Sequence, residues 1–97
     1  MAALVLNSRA IIELCRQNDV VRLSVFGSFA RGEATEHSDV DLLVDFNKRN
    51  SLLALIALER KMSAALGRRV DLLTRKAISS YLRDSVERDL RVVYEAR

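Results

Sequence analysis

Residues 20–46 read VVRLSVFGSFARGEATEHSDVDLLVDF, and this stretch sets the architecture. Val20 to Phe26 alternates and is rich in β-branched residues, the pattern of a strand. It ends abruptly at Gly27-Ser28. Phe29 to Arg31 then fits one short helical turn, closed by Gly32 at a left-handed position. A polar loop, Glu33 to Ser38, leads into Val40-Asp41-Leu42-Leu43-Val44-Asp45-Phe46, a second strand.

Upstream, Ala10, Ile11, Leu14 and Cys15 stand at helical spacing within residues 8–18, with Asn7 or Ser8 as the N-cap. Downstream, a turn over Asn47 to Asn50 precedes a helix from Ser51 to Leu66. Its apolar positions are Leu52, Leu55, Ile56, Leu58, Met62 and Leu66, and Gly67 stops it. Arg69 to Leu73 reads as a short third strand. From Ser79 to Glu95 the stripe Leu82, Val86, Leu90, Val93 predicts a closing helix. Asp84–Arg88, Glu87–Arg91 and Arg91–Glu95 would be i,i+4 pairs on its wet side. The order predicts an α+β (α/β-like) domain over residues 1–97: a small mixed sheet with helices packed on it. Three strands are too few for a Rossmann domain, and the G-x-G-x-x-G spacing is missing.

Composition narrows the partners. The 97 residues are 49% hydrophobic and 30% charged, which suits one globular core of modest size. No stretch approaches the roughly 20 apolar residues of a membrane span. The N-terminus lacks the order of a signal peptide, so a cytoplasmic location is the expectation. The single cysteine, Cys15, falls in an apolar helical stripe and reads as a packed thiol. A net charge of +3 favours nucleotide phosphates over DNA or RNA, because the chain has no basic block and only five aromatics (Tyr 2, Phe 3).

The chemistry is concentrated at Gly27-Ser28 and at Asp39-Val40-Asp41. Asp39 and Asp41 are two apart at a strand entrance, so both side chains leave one face with Cα atoms about 6.5 Å apart. Carboxylates so placed repel unless a cation lies between them, and oxygen-only ligands select hard ions such as Mg²⁺. Asp71 sits inside the apolar run Val70-Asp71-Leu72-Leu73, where an unpaired acid would be costly. If its strand lies beside the Asp39–Asp41 strand, three carboxylates converge. They could then hold two metals about 3.5–4 Å apart, the arrangement for in-line displacement at phosphorus. The Gly27-Ser28 turn offers free backbone N–H groups and a hydroxyl to phosphate oxygens.

The pattern G-S-x₁₀-D-x-D resembles the signature of the DNA polymerase β-like nucleotidyltransferases. The fuller run GSFARGEATEHSDVDLLVDF resembles their smallest branch, the minimal nucleotidyltransferases (MNT). The resemblance covers essentially the whole chain and implies the palm-like nucleotidyltransferase fold. It implies Asp39 and Asp41 as metal ligands, and Asp71 as the third carboxylate, nearest the attacking hydroxyl. Gly27 and Ser28 match the phosphate-binding turn, and Arg31 matches a recurrent basic position. ATP and two Mg²⁺ ions are implied as substrate and cofactor. The implied partner is a HEPN-type toxin, neutralised by transfer of AMP to a tyrosine hydroxyl. Two other functions stay open: a non-catalytic antitoxin that masks its toxin, and a small-molecule nucleotidyltransferase.

Other residues carry plainer readings. Arg31 could instead pair with Glu33 or Asp45, and Asp71 with Arg69 or Arg75. Asp45 lies about 13 Å along the strand from Asp41 and reads as structural. His37 is a lone loop histidine with no second His or Cys ligand, which argues against zinc. Arg68, Arg69, Arg75 and Lys76 flank the Asp71 strand and read as a solvated rim.

Overall fold

The computed structural model describes residues 5–96. In chain order the elements are α1 (Arg9–Gln17), β1 (Val20–Phe26), α2 (Ser28–Arg31), β2 (Val40–Phe46) and α3 (Leu52–Leu66). There follow β3 (Val70–Leu73), a 3₁₀ turn (Arg75–Ala77), α4 (Arg83–Asp89) and β4 (Arg91–Glu95). Ser8 caps α1 by accepting the Ile11 N–H, and Ser51 caps α3 by accepting the Ala54 N–H. Gly67, left-handed at φ 65°, ends α3 by donating to the Ser63 carbonyl.

The four strands form one mixed sheet in the order β3-β2-β1-β4. β1 pairs antiparallel with β2 and with β4, whereas β2 and β3 run parallel, joined through α3. Strand alternation separates the two faces. Val40, Leu42 and Val44 of β2 point with Val70 and Leu72 of β3 into the main core, against Ile11 and Cys15 of α1 and Leu58 and Met62 of α3. The opposite face carries Asp41, Leu43 and Asp45. There Phe26, Leu43 and Ile78 form a smaller cluster, flanked by Leu73, Val86 and Leu90. Truncating Leu58 or Met62, both essentially inaccessible, would cost about 2–5 kcal/mol. No helix among the described residues is long and apolar enough to cross a membrane.

The chain's last segment departs from the sequence expectation. The predicted helix over Ser79–Glu95 stops at Asp89, and Arg91–Glu95 is a strand, the fourth of the sheet. Val92, Val93 and Tyr94 prefer extended backbone, and the free edge of β1 offers them hydrogen-bond partners, which tips a mixed local preference toward pairing. The i,i+4 pairs expected there do not form. Glu87 binds Arg75, Glu95 binds Arg22, and Arg91 donates to the Ala30 carbonyl.

Candidate functional site

Strand register brings the three expected acids together. Asp41 and Asp71 are direct partners across the parallel β2–β3 pair, so their side chains leave the same face side by side. Asp39 lies two residues before Asp41, just ahead of the strand. Asp41 is paired on its other flank with Phe26, the last residue of β1, which places Gly27 against the Asp41 carboxylate. The site therefore sits where β1 ends and β2 and β3 begin, on the sheet face away from α1 and α3.

The electrostatics follow from this crowding. Burial pushes the Asp41 carboxyl above its ordinary value, the charges of Asp71 and Asp39 push it the same way, and Arg31 pulls it back. Arg69 spans the other two acids, with Nε 3.8 Å from Asp39 and Nη2 3.6 Å from Asp71. Both contacts are long and Arg69 is largely exposed, so they offset little of the repulsion. Among the described residues no three acidic, imidazole or thiol side chains are drawn to mutual ligating distance. Three half-exposed carboxylates with surplus negative charge and only oxygen donors are nonetheless the donor set that suits a hard divalent ion.

The turn after β1 faces this patch. Gly27 has φ 71° and ψ −150°, and its carbonyl accepts the N–H groups of Ala30 and Arg31. That leaves the Ser28 and Phe29 N–H groups with no acceptor among the described residues, as the first turn of a helix must. Gly32 holds the left-handed position predicted for it.

Arg31 does not reach Asp45. It binds Glu33 at 2.8 Å and Asp89 of α4 at 2.6 Å, and both hydrogen bonds raise its pKa further. Asp45 is held by Arg75 at 3.0 Å, the structural role expected of it. His37 is solvent-exposed. Cys15 is buried, and burial pushes its thiol up to about 11, leaving no thiolate for chemistry.

One residue assigned to the solvated rim does more. Arg68 donates from Nη1 to the carbonyls of Thr35 and Ser38, each at 2.8 Å, and its guanidinium lies 5.2 Å from the centre of the Phe29 ring. It thus joins the loop entering Asp39, the turn carrying Ser28, and the strand carrying Asp71. Sequence gave no signal for this, since its partners are 30 and more residues away and two of them are backbone carbonyls.

Fold and residues together define the class: a small enzyme domain of the nucleotidyltransferase kind. The family model for the nucleotidyltransferase domain matches residues 8–93, and the chain belongs to that family. It is 48% identical over 82 residues to the protein adenylyltransferase MntA of Thermococcus cleftensis, covering 84% of this chain and 81% of that protein. Among solved structures it is similar to a toxin-antitoxin crystallised with AMP-PNP (27% identity, TM-score 0.76, 91% of this chain and 73% of that one). It is also similar to a chain in the complex of a tri-AMPylated Shewanella oneidensis HEPN toxin with its MNT antitoxin (26% identity, TM-score 0.69, 94% and 71%).

Proposed function

We propose that this protein transfers AMP from ATP to a hydroxyl of a HEPN-type partner protein and so acts as that partner's antitoxin. The observation that carries the reading is the pairing of Asp41 with Asp71 across β2 and β3, next to the Gly27-Ser28 turn. The adenylyltransferase relative and the two toxin–antitoxin neighbours supply the choice of AMP and of a protein acceptor.

In this reading Asp39, Asp41 and Asp71 would hold two Mg²⁺ ions, which would supply charge neutralisation for the triphosphate and activation of the acceptor oxygen. The free N–H groups of Ser28 and Phe29 and the Ser28 hydroxyl bind the β- and γ-phosphate oxygens. Gly27 keeps the backbone low enough for that approach. Asp71, at the sheet's outer strand, receives the proton of the acceptor hydroxyl. The acceptor oxygen bonds to the α-phosphorus, the bond to the bridging oxygen breaks, and pyrophosphate leaves. Arg31 joins the triphosphate by exchanging Asp89 for a phosphate oxygen.

Intact mass of the purified HEPN-type partner, after incubation with Mg²⁺ and ATP, tests the proposal. A gain of one or more AMP units is expected. Asp39→Ala with Asp41→Ala should reduce transfer by about 10²–10³-fold or more. Undiminished toxin neutralisation by that double variant would replace catalysis with simple masking.

A further inference from the structure

α3 lacks the amphipathic division of an ordinary surface helix. Leu58 and Met62 are buried and Leu55 is half-buried, yet Leu52 is 70% exposed, Leu53 is 79% exposed and Ile56 is also open to solvent. An apolar outer face beside an apolar inner one is the pattern of a helix covered on both sides. Beside its first turn, at the far ends of β2 and β3, lies a cavity of about 550 Å³ with Phe46, Leu52 and Leu55 in its wall.

The charges around this surface are mostly positive. Arg49 and Lys76 line the cavity beside Lys48, which is paired with Asp19, and Arg60 and Lys61 stand exposed further along α3. The acids nearby are engaged: Glu59 accepts the Leu72 backbone N–H at 2.8 Å, and Asp45 is bound to Arg75. Among the described residues Arg49, Arg60, Lys61 and Lys76 form no ion pair.

We infer that the start of α3 and its adjoining cavity are a docking surface for a segment of the partner protein that presents apolar side chains flanked by carboxylates. A second copy of this chain fits poorly, because an isologous contact would set the two basic rims against each other. Nucleic acid fits poorly too, because the centre of the surface is leucine rather than a phosphate groove. From Asp41 to Phe46 is roughly 17 Å along β2, so the docked segment leaves the nucleotide turn open. The inference rests on the reading that the acceptor is a protein.

The test uses Leu53→Glu and, separately, Arg49→Glu with Lys61→Glu. Binding of each to the purified HEPN-type partner is measured by calorimetry, alongside Mg²⁺–ATP binding and sedimentation of the chain alone. Both variants should bind the partner at least tenfold more weakly, with nucleotide affinity and sedimentation unchanged. Wild-type affinity in both variants overturns the inference, as does a wild-type chain that binds no partner. A wild-type dimer that Leu53→Glu dissolves assigns the face to a second copy and also overturns it. Intact mass separates the two ideas. A partner that binds wild type through this face but gains no AMP refutes the acceptor reading and leaves the docking surface standing.

Discussion

The Cα of Gly27 lies against the carboxylate of Asp41, so that a Cβ built on Gly27 would collide with Asp41 Oδ2. The requirement for glycine is double, since φ 71° with ψ −150° is a region that residues bearing a Cβ scarcely enter. Gly27→Ala should therefore destabilise the fold by about 1–3 kcal/mol and displace the acid that the proposed chemistry needs. Gly67→Ala is the control. Its φ of 65° is also left-handed, but nothing lies within 4 Å of an added Cβ. It should cost about 1 kcal/mol in urea unfolding and leave nucleotide transfer intact.

Asp41 predicts a pH signature. Its carboxyl is raised in the folded chain by burial and by Asp71 and Asp39, so between the ordinary value of 3.8 and the raised one the folded state binds more protons than the unfolded. Stability falls as pH climbs through that window, and the deficit persists at neutral pH. Asp41→Asn removes the charge and should raise Tm at pH 7. The gain should vanish below pH 3.8. Scanning calorimetry across pH in metal-free buffer checks both parts.

Arg68 is a positioning residue on the geometry described. Removing it frees the Thr35 and Ser38 carbonyls and the Phe29 face together, loosening the loop before Asp39 against the turn at Ser28. Arg68→Ala should cost about 1–3 kcal/mol of stability. It should also lower kcat by about tenfold or more, because small misplacements of reacting groups are expensive. A merely structural role would leave the half-saturating Mg²⁺ concentration of the folded fraction unchanged, and here it should rise. Arg68→Lys, which keeps a donor and a cation, should restore part of the metal response.

How legible the site was depended on the range of each interaction. Asp39 and Asp41 follow from local alternation, and the bend at Gly27 from one glycine after a β-branched run. Asp71 was legible as an acid in an apolar strand, but its register with Asp41 is a long-range fact, created by the β2–α3–β3 crossover. Arg31 was ambiguous because its second partner, Asp89, is 58 residues away on α4. Arg68 was illegible for the same reason. Leu23, Ser24, Val25 and Phe26 are buried in unbroken succession because both faces of β1 are covered, a product of the fold that local alternation does not show.

β4 offers a test in which helix and strand predict opposite signs. Val92 is 59% exposed and pairs with Ser24 of β1, so its side chain is half free and its backbone engaged. In a helix, Val92→Ala would stabilise by about 0.5 kcal/mol, because alanine keeps more freedom there than a β-branched residue. In the edge strand seen here, the same change removes a residue suited to the pleat and should destabilise by a few tenths of a kcal/mol, up to about 1. A lowered urea midpoint with an unchanged slope supports the strand. A raised midpoint would mean that residues 91–95 continue α4 and that β1 is left as an open edge.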